Sequence, residues 1–92
     1  MKKYVIERDI PDAGSMNNNE AAAAAQNSNA ALAQLAPTVQ WQQSHVAGDK
    51  IFCVYLADDE DAIRKHSEIS GIPITTIYQV DRVMDPSSAM AG

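Results

Sequence analysis

The pattern of apolar and polar positions predicts four β-strands: residues 2–9 alternate, and three further stretches have the composition of strands. These stretches cover residues 2–9, 38–46, 50–56 and 74–84, and each is rich in β-branched or aromatic residues or bounded by turn-forming ones. The second and third stretches are separated only by Ala47-Gly48-Asp49, a sequence typical of a tight turn. The pattern therefore predicts a central β-hairpin with one further strand on either side of it along the chain.

Helical spacing of apolar residues marks the segment between the first two strands. From Asn17 to about Ala36 the chain is rich in alanine and contains neither proline nor glycine, and Pro37 follows directly. Low complexity could also indicate disorder, but the segment carries a narrow stripe of small and apolar residues at helical spacing, which favours a helix. The stripe consists of Ala24, Ser28, Ala31, Leu32 and Leu35.

A second helix is predicted between the hairpin and the last strand. Asp58 is a candidate N-cap, acidic residues follow it, and Gly71 with Pro73 marks the end of the helix. The residues at helical spacing on its apolar side are Ala62, Ile63, His66 and Ile69.

The resulting order, β-α-β-β-α-β, predicts an α+β domain with the ferredoxin-like fold. Right-handed crossovers around the shared hairpin would give a four-stranded antiparallel sheet with both helices on one face. Residues 1–86 are predicted to form this single domain, and residues 87–92 a flexible tail. Because a chain of 92 residues builds only a marginal core, we expect a homodimer, a dimeric α+β barrel, that covers the other face.

The composition and net charge of the chain indicate which kinds of molecule it can bind. The chain has 12 acidic and 7 basic residues and a net charge of −5, with few basic residues side by side, so nucleic acid is a poor partner. Its single cysteine, Cys53, cannot form an internal disulfide. Charged residues 7–9 interrupt the first apolar stretch, so it is not a signal peptide, and no run is long enough to span a membrane. We therefore expect a cytoplasmic protein without membrane or nucleic-acid partners.

The hairpin register predicts which side chains share a face of the sheet. If Gly48 and Asp49 are the two turn residues, Ser44 lies opposite Cys53, Gln42 opposite Tyr55, and Val46 opposite Ile51. The other side is more apolar, and we assign it to the face beneath the helices. That set consists of Trp41, Gln43, His45, Phe52, Val54 and Leu56. A three-residue turn would exchange the two faces.

This register would place a carboxylate, a thiol and a phenol on one surface. Glu7 alternates with Ile6 and Arg8 on the first strand and is expected near Cys53 and Tyr55. Such a group could bind a divalent transition metal or transfer protons. A structural interpretation is favoured by spacing alone: Cys53 as a small buried side chain, Tyr55 as an interface aromatic and Glu7 as a solvated strand residue.

The two histidines are ambiguous in the same way. His66 lies on the apolar stripe of the second helix, where a packed core histidine is the commoner case, but an imidazole there could act as a ligand or a general base. His45, near the end of the hairpin, is expected to be less buried, with a solvated or a packing role. The sequence contains no CxxC or HExxH motif, no phosphate-binding glycine loop and no nucleophile elbow, which removes the common enzyme signatures.

Taken together, several short segments resemble a family of small bacterial ferredoxin-like proteins, a domain family of unknown function that includes a nickel-binding member. The likeness extends from Tyr4 to Pro86, although no single motif in it is specific. The matching segments are Glu7-Arg8-Asp9 with Pro11, Ser28-Asn29, Trp41-Gln42-Gln43-Ser44, residues 49–55, Ile63-Arg64-Lys65-His66, Gly71-Ile72-Pro73 and Asp85-Pro86. The alanine- and asparagine-rich first helix departs from the family pattern.

The resemblance implies a ferredoxin-like dimer that binds nickel or a similar divalent ion. Positions that match the family pattern and have ligand chemistry are Cys53, His66, Glu7 and Tyr55, with His45 as an additional candidate. With two histidines and one cysteine per chain, a site completed across the dimer is more plausible than one within a subunit.

Two other functions remain open at this point. One is a cofactor-free enzyme, isomerase-like or monooxygenase-like, that uses the cavity between helices and sheet, with His66 as base and Tyr55 or Glu7 in support. The other is an interaction or regulatory module in which His66 and Cys53 only pack. The fold alone does not choose between these hypotheses, because this architecture carries many activities.

Overall fold

The chain folds in the predicted order in a computed structural model, which describes residues 1–90. This part of the chain forms four strands and two α-helices, together with short 3-10 helices at Ala13–Ser15 and Pro86–Met90. The main elements are β1 (Lys2–Asp9), α1 (Asn18–Leu35), β2 (Val39–Ala47), β3 (Lys50–Ala57), α2 (Glu60–Ser70) and β4 (Thr76–Gln79). The last two residues of the predicted tail, 91–92, lie outside the described residues. Neither α-helix is long and apolar enough to cross a membrane within the described part.

The strands form one sheet in the order β2-β3-β1-β4, and every neighbouring pair is antiparallel. The two central strands pair over their whole length, from Lys2 opposite Ala57 to Asp9 opposite Lys50. The helices pack on each other, and both contact β2. This arrangement confirms the predicted ferredoxin-like α+β fold.

The core lies between the helices and one face of the central strands. Its buried members include Tyr4 and Ile6 from β1, Cys53 and Tyr55 from β3, and Ile63 from α2. Leu32 and Leu35, two residues of the predicted apolar stripe on α1, pack against this cluster. Because side chains alternate along a strand, the neighbours of these β1 and β3 residues lie on the opposite, open face.

The predicted assignment of the two sheet faces is therefore wrong for β3. Cys53 and Tyr55 lie beneath the helices, whereas Phe52, Val54 and Leu56 lie on the open face and are only partly buried. The prediction chose the more apolar set for the core. Both faces of β3 are in fact apolar, so hydrophobicity does not distinguish the covered face from the open one.

A β-bulge in β2 changes the register partway along the hairpin. The pairs Ser44–Cys53 and Val46–Ile51 are as predicted, but the ladder shifts between Trp41 and Gln43, so that Trp41 rather than Gln42 lies opposite Tyr55. The extra residue reverses the alternation of the strand. Trp41 and Ser44 consequently share the helix-covered face, and the indole Nε1 of Trp41 donates to the Ser44 Oγ at 2.9 Å.

Capping residues mark the start of both helices and the end of α2. Asn17 and Glu20 form a reciprocal capping box at the start of α1. At the start of α2 the Asp59 carboxylate accepts from the Ala62 N–H at 2.9 Å, so the N-cap is Asp59 and not Asp58 as predicted. Gly71 ends α2 with φ 75°, a left-handed conformation that glycine adopts without steric cost.

The last strand is much shorter than its apolar pattern predicts. Gln79 pairs with Tyr4, and the Val80 N–H donates to the Lys3 carbonyl at 2.8 Å. Beyond this point β4 has no partner, because β1 itself begins at Lys2. The chain therefore leaves the sheet after Val80 although its residues have high strand propensity.

We expect replacement of Asp59 by alanine to lower the free energy of unfolding by about 1 kcal/mol, because the Ala62 N–H loses its acceptor. Asp58→Ala is the matched control, since it removes a neighbouring acidic side chain without removing that cap, and its effect should be much smaller. Urea denaturation followed by circular dichroism measures both. An equal or larger loss for Asp58→Ala would contradict the assignment of the cap.

Candidate functional site

A cluster of four buried side chains with polar groups lies between the sheet and the helices. Arg8 is 1% exposed, Ser28 5%, Tyr55 2% and His66 1%. Arg8 comes from β1, Tyr55 from β3, Ser28 from α1 and His66 from α2, so every layer of the fold contributes. We call these four residues the interior cluster.

His66 occupies the centre of the interior cluster. Its Nε2 lies 3.1 Å from the Ser28 Oγ, and its ring centroid lies 5.3 Å from that of Tyr55. Its Nδ1 is buried and has no hydrogen-bond partner among the described residues. Burial lowers the pKa of His66, and the positive charge of Arg8 lowers it further. The imidazole is therefore neutral near pH 7.

Arg8 is a functional candidate that the sequence interpretation missed. Its Nη1 donates to the Ser67 Oγ at 3.1 Å, to the Ile72 carbonyl at 3.2 Å and to the Pro73 carbonyl at 3.0 Å. Its Nε and Nη2 are buried and have no hydrogen-bond partner in the described part of the chain. The signal was present in the alternation of β1, because Arg8 follows Tyr4 and Ile6 on what proves to be the core side.

Tyr55 keeps its phenolic proton at neutral pH. Burial raises the pKa of Tyr55, the nearby Cys53 raises it further, and Arg8 opposes the shift. The phenol can therefore act as a hydrogen-bond donor within the cluster. Cys53 itself is a free, buried thiol that faces the helices.

A cavity of about 350 Å³ lies beside the interior cluster, between α1 and the β2–β3 hairpin. Arg8, Ser28 and Tyr55 line it, whereas His66 is not part of its lining. Most of the remaining lining is apolar. It consists of Ile10, Met16, Ala21, Ala24, Ala25, Asn27, Trp41, Ser44, Val46, Ile51, Cys53 and Ile72.

Glu7 and His45 lie on the open face, on opposite sides of Phe52. Glu7 pairs with Phe52 across β1 and β3, and His45 pairs with Phe52 across β2 and β3. The predicted position of Glu7 beside Cys53 is wrong, because Ile6 is the residue opposite that thiol. The His45 Nε2 lies 3.2 Å from the Gln43 Nε2.

A lysine neutralises the carboxylates of this open face. The Lys50 Nζ lies 2.8 Å from the Glu7 Oε2 and 2.6 Å from the Asp9 Oδ1. Hydrogen bonds to Asp9 and Glu7 raise the pKa of Lys50, and the same contact lowers the pKa of Asp9. A cation that approached Glu7 would have to compete with the Lys50 ammonium.

The five predicted ligands fall into two groups on opposite faces of the sheet. Cys53, Tyr55 and His66 lie beneath the helices, and Glu7 and His45 lie on the open face. Within residues 1–90, no three side chains of histidine, cysteine, aspartate or glutamate converge closely enough to hold a metal ion.

Fold and interior cluster together define a small ferredoxin-like α+β domain with a polar core and an adjoining cavity. A family model described as "Nickel responsive protein SCO4226-like" matches residues 4–80, and the chain belongs to this family. The crystal structure of SCO4226 from Streptomyces coelicolor A3(2) has the same fold, with a TM-score of 0.74 and 15% sequence identity over 89% of this chain and 99% of that one. Among curated proteins, no relative matches the chain.

Burial of a neutral His66 should make stability depend on pH. The pKa of His66 is lowered in the folded state, so the unfolded chain binds more protons as pH falls through about 6.5, the ordinary histidine value. The stabilisation that comes from deprotonated His66 is therefore fully present above this pH and is lost progressively as the pH falls below it. We expect His66→Gln to reduce the loss of unfolding free energy between pH 7.5 and 5.5 by about 1 kcal/mol.

Urea denaturation at the two pH values, for both proteins, measures this difference. His45→Gln is the matched control, because it removes an exposed imidazole from the same chain. Identical pH profiles for wild type and His66→Gln would show that His66 is not held neutral by burial.

Proposed function

We propose that the protein binds a divalent transition metal of the nickel type, and that it does so as a homodimer joined through the open face of the sheet. The observation that carries the metal is the match of residues 4–80 to a nickel-responsive family. Exposed apolar side chains on the surface of the chain support the dimer. The choice of ligands follows from which donor side chains a second subunit could reach.

The open face has the character of a surface between subunits. Its centre is formed by Phe52, Val54 and Leu56, which are large apolar side chains and only partly buried in a single chain. An uncovered apolar sheet face favours association. Two copies related by a two-fold axis would each offer the same patch, which is the commonest way to cover such a face.

The segment after β4 supports a second copy as the partner. Val83, Met84 and Met90 are 63%, 78% and 87% exposed, so this segment presents apolar side chains without burying them on its own chain. The radius of gyration is 14.2 Å, larger than the value of about 12 Å expected for a compact chain of this length. An exposed apolar segment that projects from a small domain suits packing on another subunit.

His45 and Glu7 are the donors that a second subunit could complete. Both lie on the open face, beside the apolar patch, and an imidazole with a carboxylate suits divalent nickel. Two copies that meet through this face would bring together two histidines and two glutamates as metal donors, and neither chain would have to change its fold. Cys53 and His66 are enclosed by the helices, so a second subunit cannot add ligands to them without opening the core.

Calorimetric titration of nickel into tag-free protein tests this proposal. We expect saturable binding by wild type, with affinity reduced about tenfold or more in His45→Ala and in Glu7→Gln, because each variant loses one ligand. Cys53→Ala is the control for the enclosed donors and should bind as wild type does. Binding should weaken as pH falls, because a ligating imidazole must be deprotonated.

Sedimentation equilibrium, with and without nickel, tests the dimer separately. A monomer at all concentrations would contradict the proposed assembly. Loss of nickel binding in Cys53→Ala, with His45→Ala unaffected, would move the metal to the enclosed side of the sheet. Absence of saturable binding by folded wild type would contradict the metal proposal as a whole.

A further inference from the structure

The guanidinium of Arg8 is a buried cation without a carboxylate partner. Arg8 is 1% exposed, and within residues 1–90 it forms no ion pair with a carboxylate. Its three acceptors are one hydroxyl and two backbone carbonyls, all bound by Nη1. Burial of a charge is costly unless the charge is paired and hydrogen-bonded. Nε and Nη2, which carry three of the five N–H groups of the guanidinium, have no hydrogen-bond partner among residues 1–90.

The unsatisfied edge of the guanidinium has the geometry of an anion receptor. Nε and Nη2, the two buried nitrogens without a partner, form one edge of the planar guanidinium. This edge presents two parallel N–H donors, which match the two oxygens of a carboxylate in a bidentate pair. The contacts of Nη1 hold the plane of the guanidinium in place. Because Nε and Nη2 are buried, a ligand in the cavity reaches this edge only when neighbouring side chains of the cavity wall move.

The adjoining cavity fits a small molecule with an apolar body. Its volume of about 350 Å³ lies in the lower part of the range for ligand pockets. Ile10, Met16, Trp41 and Ile51 provide apolar walls. The polar residues of the lining are Arg8, Asn27, Ser28, Ser44 and Tyr55. A mostly apolar pocket with a small number of polar groups is the usual form of a small-molecule site.

We propose that this cavity binds a small monocarboxylic acid, with its carboxylate paired to Nε and Nη2 of Arg8 and its aromatic or aliphatic body against Trp41 and Ile51. The Tyr55 phenol, which is protonated at neutral pH, can donate a further hydrogen bond to the same carboxylate. The single guanidinium and the apolar walls disfavour multiply charged anions such as phosphate. The buried positive charge also disfavours a metal cation at this end of the cavity.

This inference is independent of the metal proposal, because it rests on Arg8 and the cavity beneath the helices. The proposed metal donors, Glu7 and His45, lie on the opposite face of the sheet. The acid-binding titrations described below are run with a metal chelator present, so that they do not depend on bound metal. Failure of one proposal therefore leaves the other standing.

The test compares 3-phenylpropanoate with its neutral amide, 3-phenylpropanamide. Trp41 is the only tryptophan of the chain and lines the cavity, so its fluorescence reports binding, and calorimetry confirms it. We expect saturable binding of the acid, with the amide at least about tenfold weaker because it cannot form the charged bidentate pair. Equal affinity for acid and amide, or no saturable binding of either at millimolar concentration, would overturn the proposal.

Two sets of variants locate the site. Arg8→Lys keeps the charge but loses the two-donor edge, and should weaken acid binding about tenfold or more while leaving amide binding unchanged. Ala25→Leu fills the cavity from α1, whereas Ala23→Leu places the same side chain on an exposed position of the same helix outside the lining. Ala25→Leu should abolish binding, and Ala23→Leu should bind as wild type does.

The alanine pair keeps the test decisive if Arg8→Lys fails to fold, because neither alanine takes part in the hydrogen bonds of the Arg8 guanidinium. Equal affinities in Ala25→Leu and Ala23→Leu would place the acid outside the cavity and overturn the proposal. Unchanged acid binding in a folded Arg8→Lys would overturn it as well.

Discussion

Alternation of side chains along the central strands β1 and β3 determines how the molecule divides into two chemically different faces. The in-register antiparallel pairing of these strands places Ile6 opposite Cys53 and Tyr4 opposite Tyr55 beneath the helices. The next residue in each strand points the other way, because the side-chain period of a strand is two. Arg8 is thereby buried, and Glu7 is placed on the open face, although the two residues are neighbours in the chain.

The elements and their order could be predicted from the sequence, because alternation, helical spacing and the Gly71 and Pro37 boundaries all agree with the fold. Membership of His66 in the buried stripe was predicted for the same reason. The face beneath the helices could not be, since both faces of β3 are apolar and the bulge next to Gln42 reverses the alternation of β2. Arg8 was missed because its burial depends on that choice of face.

The two proposed sites lie on different faces of the sheet. The open face combines Phe52 and its apolar neighbours with Glu7 and His45, a combination suited to a second copy and a shared ion. The covered face holds a cation with unused donors beside a cavity, which is an unfavourable arrangement in an empty core and a favourable one for an anionic ligand. Membership of the family supports the metal site proposed for the open face. The buried polar residues of this chain support the acid site proposed for the covered face.

The most direct test of this account is a set of nuclear Overhauser effects between aromatic and α2 side chains in the folded protein. If Tyr55 lies beneath the helices, its ring protons should show strong effects to His66 and Ile63, because its ring centroid lies 5.3 Å from that of His66. Phe52 should show none to either residue. Strong effects from Phe52 to Ile63 or His66, with Tyr55 silent, would mean that the sheet presents its other face to the helices and would contradict both sites.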